Sequence, residues 1–101
     1  METILSINLI VANPQVRGGR PCVVGTGLRV SDIALAHLLH QQSPDEIAAG
    51  YGIAVAGVYA ALAYYYEHKG AIDEDLRQQI ATARALKDRW LSDGGTALLS
   101  G

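Results

Sequence analysis

The chain has 101 residues, half of them hydrophobic, with no Phe, one Trp and one Cys. That length makes one domain the expectation and leaves a modest core, which a partner subunit often completes. A net charge of −2 argues against a dedicated nucleic-acid binder, Cys22 alone cannot form an internal disulfide, and no apolar run approaches the roughly 20 residues of a membrane span.

The opening "METILSINLIVA" carries no Lys or Arg ahead of its apolar part. It lacks the basic start of a signal peptide, so a cytoplasmic protein without a membrane partner is expected. Residues 3 to 11 are β-branched and apolar and read as an extended segment. Asn13-Pro14 is a turn signal. Gly18-Gly19 and Gly25-Thr26-Gly27 bracket "RPCVV", and "LRV" follows, as in two short strands joined by a tight turn. These glycines are followed by no Lys-Ser/Thr and show no GxGxxG spacing, so neither a phosphate loop nor a dinucleotide site is expected.

From Ser31 the pattern turns helical. Ser31 or Asp32 can cap the first helix, which Ile33, Leu35, Ala36, Leu38 and Leu39 populate. Ser43, Pro44 and Glu46 form a capping box with proline at the first helical position. The second helix spans about Pro44 to Tyr51 and buries Ile47, Ala48 and Tyr51. Gly52 supplies the left-handed backbone that ends it. A third helix runs from about Ala54 to His68, with Val55, Val58, Leu62 and Tyr65 or Tyr66 as its inner stripe, and Gly70 stops it. A fourth begins near Ile72 and ends near Leu91. Asp73, Glu74 and Asp75 occupy its first turn, where the helix dipole favours negative charge. Ile72, Leu76, Ala83, Leu86 and Trp90 form its apolar stripe, with Ile80 at the edge. "GGTALLSG" reads as a flexible tail over 94–101.

The fold class is therefore mainly α: short N-terminal strands (residues 1–30), a helical core (31–69) and a long C-terminal helix (70–93), in one domain. Counting from Pro44, small Ala48, glycine at 52 and apolar Ile47, Tyr51, Ile53 and Val58 match a helix-turn-helix. An ordinary helical hairpin uses many of the same residues.

Charge is unevenly spread. Residues 1–30 hold Arg17, Arg20 and Arg29 against Glu2 alone, whereas residues 31–66 hold Asp32, Asp45 and Glu46 with no Lys or Arg. Attraction to a polyanion thus rests on three arginines, which implies weak, salt-sensitive binding. The outward positions of the third helix are read as Ala54, Ala56, Gly57, Tyr59, Ala60, Ala63 and Tyr64. None makes a bidentate base contact. Tyr59 and Tyr64 suit a protein partner instead. His37 and His40 lack a third ligand nearby, so no metal is expected. Cys22 sits among valines without a base and reads as a small buried hydrophobe. No catalytic constellation and no cofactor site emerge.

"NP", "GGRP", "GT", Val30, "SPDEIAAGYGI" and "AALAYYYEHKGAID" together resemble the bacterial family catalogued as domain of unknown function 433, over about residues 10–75. The resemblance implies a β element joined to a helix-turn-helix. It also implies an antitoxin that regulates its own promoter and neutralises a small PIN-type nuclease, not an enzyme. This chain departs from the family's Gly-Thr-Arg, since Gly27 stands where the arginine is expected, with Arg29 on the same strand side. Gly52 replaces a common proline. The expectation is a homodimer holding promoter DNA through Arg17, Arg20 and Arg29. Its C-terminal helix, with Leu86 and Trp90, would dock on the partner subunit or on a toxin. A protein-interaction module with no DNA role is the competing expectation.

Overall fold

A computed structural model describes residues 1–93; the tail read as flexible, 94–101, lies outside them. The fold is mainly helical. A short antiparallel pair, β1 (Ile10–Val11) and β2 (Cys22–Val23), precedes four helices: α1 (Val30–Leu38), α2 (Pro44–Tyr51), α3 (Val55–Glu67) and α4 (Lys69–Ser92). Two compact units divide at the step from Lys69 to Gly70.

In the first unit, the β register is Ile10 with Val23 and Val11 with Cys22. Residues 1–9 carry no regular element, and Ile4, Leu5 and Ile7 are exposed. The expected strand over 3–11 is thus only two residues long, because β2 offers no further in-chain partner. The other edge of β2 meets Leu28–Val30: Cys22 bridges Arg29, and the Val23 and Val30 amides donate to Leu28 and Pro21 carbonyls at 3.0 and 2.9 Å. That is the expected tight turn. Gly25 takes φ 75°, a value that suits glycine. Thr26 ties the turn shut, its hydroxyl donating to the Val23 carbonyl at 2.8 Å and accepting from the Leu28 amide at 3.1 Å.

Helix α1 starts one residue before the expected cap. Arg29 is its N-cap residue, and the Asp32 carboxylate accepts from the Arg29 amide at 3.0 Å. Its buried side is Val30, Ser31, Ile33, Ala34 and Ala36, while Leu35, Leu38 and Leu39 are exposed. The capping box of α2 is present as expected: the Glu46 amide donates to Ser43 Oγ at 3.1 Å and the Ser43 amide to Glu46 Oε1 at 3.0 Å. Gly52 ends α2 at φ 68°. Ile47 and Ala48 are buried, but Tyr51 is exposed, because the chain turns away before that face is covered.

The buried stripe of α3 is Gly57, Val58, Ala61, Leu62 and Tyr65. Val55 is exposed and does not belong to it. Gly57, expected to face outward, is buried: a Cβ built there would lie 3.1 Å from Val23 Cγ1. The β pair therefore packs on the first turns of α3. The core of this unit centres on Ile33, Ile47, Val30 and Val58.

Gly70 does not end α3. His68 does, at φ −120° and ψ 29°, and α4 starts at once with Lys69. Asp73, Glu74 and Asp75 consequently fall outside the first turn, so the helix dipole is not what holds them. Arg77 bonds Glu74 at 2.8 Å and Gln79 bonds Asp75 at 2.8 Å, the neighbour pairs expected at such spacings. Among the described residues, Ile72 is the one buried residue of α4.

Candidate functional site

The first candidate surface is the loop that carries the early arginines. Asn13 opens it, accepting from the Gln15 amide at 2.9 Å, the local bond that makes Asn a turn former. Arg17, Gly18 and Gly19 then adopt φ 52°, 65° and 81° in succession. Glycine accepts that conformation freely, whereas Arg17 bears a cost of about 1–2 kcal/mol. A specific bond offsets it: Arg17 Nε donates to the Gly27 carbonyl at 3.0 Å. Arg20 Nη1 reaches the Arg17 carbonyl at 3.3 Å.

Arg29 sits differently. Its guanidinium grips Asp32 through Nε and Nη2 at 3.1 and 2.9 Å, with both side chains only about a quarter exposed. It anchors the start of α1, which narrows what it offers a phosphate. The guanidinium lying against Gly27 belongs to Arg17, not to Arg29. A methyl added at Gly27 would come no closer than 4.0 Å to Arg17 Nε.

Beside this loop is a cleft of about 360 Å³ lined by Val11, Asn13, Val16, Cys22, Gly25, Thr26 and Gly27. None of those side chains is charged. Cys22 is buried, and its thiol donates to the Arg20 carbonyl at 3.4 Å. Burial pushes its pKa up; Arg17 and Arg29 oppose the rise and Asp32 adds to it. A thiol kept protonated is a packing group, not a nucleophile. His37 spends Nδ1 on the Gln42 carbonyl at 2.9 Å, beyond the end of α1.

The second surface is the outer side of α2 and α3. The two helices are joined by Gly52–Ala54 and bend by 119°. No single helix among the described residues is long and apolar enough to cross a membrane. Neither helix contains a Lys or Arg. Tyr59 is exposed, and Tyr64 is half-buried and stacked on His68 with ring centres 4.1 Å apart. Tyr65 is the tyrosine of the triplet that enters the core, and Tyr66 remains exposed. Lys69 Nζ stands 5.6 Å from the Tyr65 ring centre, a cation–π distance.

Tyr64 also lines a groove of about 350 Å³ with Ile7, Ile10, Ala60, Ala63 and Glu67. Tyr64 is legible in the sequence as an outward residue, but the groove is not. The small residues Ala60 and Ala63 are its signal, yet its second wall comes from Ile7 and Ile10, far earlier in the chain.

Leu86 and Trp90 lie on α4, in the other unit, and are 56% and 41% exposed. Arg17 and Arg20 thus share one loop, Arg29 caps α1, Tyr59 and Tyr64 share α3, and Leu86 and Trp90 share α4.

Residues 10–65 match the model of the family described as Protein of unknown function (DUF433). No curated protein and no solved structure matches the chain. The matched span covers the β pair, α1, α2 and nearly all of α3, and stops before α4.

Proposed function

The chain belongs to the DUF433 family, and from that premise we propose that it is an antitoxin-like regulator, a homodimer that holds a small PIN-type toxin and touches promoter DNA weakly. The observation that carries the reading is the α2–α3 junction. A 119° bend over a short glycine-led turn suits a helix-turn-helix, and buried Ala48 allows the close crossing. Val23 packs at Gly57, so the arginine-bearing β element lies at the start of α3. In this reading α3 approaches DNA through small residues while Arg17 and Arg20 hold phosphates. The Tyr59 surface and the Tyr64 groove receive the toxin.

A second reading has the same shape acting on proteins alone. Two observations favour it: α2 and α3 carry no basic side chain, and Arg29 is committed to Asp32. Fluorescence anisotropy with duplex DNA from the region upstream of the gene separates the two. The regulator reading expects binding that weakens steeply with salt. Arg17→Ala/Arg20→Ala would then lower the salt slope by about one per lost phosphate contact. Binding that is absent at low salt, or unchanged in affinity and slope in the double variant, overturns the DNA role and leaves the protein-binding reading.

A further inference from the structure

The segment "TILSINLIVA", residues 3–12, holds no charged residue and no proline. Those are the residues that keep a free strand edge from pairing. Yet the segment is bare within one chain: Ile4 is 93% exposed, Leu5 87% and Ile7 76%. Only Ile10–Val11 enters β1, and the chain has no further strand to offer. β2 is two residues long, and its other edge already meets Leu28–Val30.

The backbone shows which edge is open. The Val24 amide donates to the Leu9 carbonyl at 2.8 Å, so Leu9 faces β2. By alternation Asn8 and Ile10 turn their amides and carbonyls away from β2, and no other described residue bonds the Asn8 backbone. There is room on that side. Val23 of β2 packs at Gly57, and Ile10 of β1 borders a groove with Ala60, Ala63 and Tyr64. Three residues of α3 rise about 4.5 Å, close to the spacing of about 4.8 Å between strands. One more strand step along α3 therefore falls in the groove.

The order of residues points to the strand that fits there. Lay a second copy antiparallel, with Ile7 opposite the partner's Ile7. Ser6 then meets the partner's Asn8, Leu5 the partner's Leu9, Ile4 the partner's Ile10 and Thr3 the partner's Val11. Polar meets polar, and the remaining pairs are apolar or β-branched. Moving the centre by one residue sets Asn8 against Ile4, or Ser6 against Ile10. The pairs that exchange backbone bonds are then Ser6 with Asn8 and Ile4 with Ile10, the residues whose groups turn outward. Directly opposed side chains share a face, so the partner's Ile4 lands beside Ile10, over the groove. A foreign strand would need no such symmetry about Ile7; a second copy does. The pair of copies makes one four-stranded sheet, β2 and β1 from each, and a sheet of that size packed on helices is stable where a lone strand pair is marginal.

We infer that residues 3–11 are the self-association element: two copies of this chain pair through them as an antiparallel β ribbon centred on Ile7, with the partner's Ile4 seated in the groove beside Ala63 and Tyr64. The inference deepens the dimer of the proposed function and rests on that part of it alone. It fills the Ile10 side of the groove from within the dimer and leaves the Tyr59 surface to the toxin. Residues 3–9 precede the family-matched span, so the inference concerns this chain's own residues.

Sedimentation equilibrium of the full chain tests it. Wild type is expected to dimerise at micromolar concentration. Ile7→Lys sets two ammonium groups opposite each other on the two-fold axis and raises the dissociation constant about tenfold or more. Asn8→Pro removes an amide that only the ribbon uses and acts in the same direction, while Asn8→Ala keeps that amide and the dimer. Register is read separately in a Cys22→Ala background. Ile7→Cys brings two thiols together on the axis, with Cα atoms about 4.5 Å apart, and links the copies; Leu5→Cys, opposite the partner's Leu9, does not. Residues 1–9 carry no regular element within one chain, so each variant keeps its helices, which circular dichroism checks. A monomeric wild type at roughly 100 µM overturns the inference, and if that monomer still binds promoter DNA the DNA reading stands. A dimer indifferent to both Ile7→Lys and Asn8→Pro overturns the ribbon and leaves the dimer of the proposed function in place. Linkage of Leu5→Cys as fast as Ile7→Cys overturns the register centred on Ile7.

Discussion

Helices α3 and α4 carry the same signal in the sequence, an apolar stripe at helical spacing, and they come to different ends. Five residues of α3 are buried, Gly57, Val58, Ala61, Leu62 and Tyr65, whereas α4 buries Ile72 alone among the described residues. The stripe of α3 is covered by its own chain, through α1, α2 and the β pair. The distal stripe of α4 is not. Periodicity reports that a face is apolar; it does not report what will cover it. The difference separates a stripe that the chain itself covers from one that it leaves exposed.

The largest expected effect breaks or confirms that contrast directly. Leu62→Ala on α3 removes a side chain that is 7% exposed and should cost about 2–5 kcal/mol in urea unfolding. Leu86→Ala on α4 removes one that is 56% exposed and should change the stability of the first unit by less than about 0.5 kcal/mol. Equal losses in unfolding free energy would mean that α4 is a core element after all.

What was legible in the sequence was what chemistry fixes locally. Ser43-Pro44-Glu46 announced its capping box because the partners are three residues apart. Gly52 announced positive φ because few other residues accept it, whereas Gly25 announced only a turn. The three arginines were found as a group because charge segregation needs no fold. What escaped depended on distant chain. Gly57 was read as outward, but Val23 covers it from 34 residues earlier. Tyr51 was read as buried, but nothing returns over it. Gly70 was read as a helix stop, yet His68 made the turn without a left-handed residue. The pairing of Arg29 with Asp32 was half visible: Asp32 was recognised as a cap, but not as the clamp on the arginine assigned to phosphate.

A smaller effect sharpens the same contrast at two glycines. Alanine is favoured over glycine in a helix by up to about 1 kcal/mol. At Gly70 of α4 an added methyl meets nothing within 4 Å, so Gly70→Ala should gain a few tenths of that amount. At Gly57 of α3 the methyl would press on Val23 Cγ1 at 3.1 Å. The propensity gain is then offset by crowding against a buried neighbour, and Gly57→Ala should gain nothing or lose stability in thermal unfolding. An equal gain at both sites would show that the β pair gives way easily and does not pin the start of α3.

The smallest effect compares how each region holds a glutamate. Glu46 in the first unit has a lowered pKa, chiefly because the Ser43 backbone amide donates to it. Glu74 in α4 has a lowered pKa, chiefly because the Arg77 side chain bonds it, with that guanidinium's charge next. Both carboxyls titrate below their unfolded value. Each therefore stabilises its helix above the ordinary value of 4.5 and loses that contribution as pH falls through the folded pKa. The causes respond differently to salt. The Arg77–Glu74 pair is well exposed, at 67% and 57%, and charge attraction across solvent is screened within about 3 Å at 1 M salt. A neutral amide bond has no such screening. Carboxyl carbon NMR titrations in low and high salt should move the Glu74 pKa back toward its ordinary value and leave Glu46 nearly where it was. If Glu46 moves equally, its hold on the start of α2 is electrostatic and not a capping bond, and the first unit would owe its helix ends to the same exposed pairing that α4 relies on.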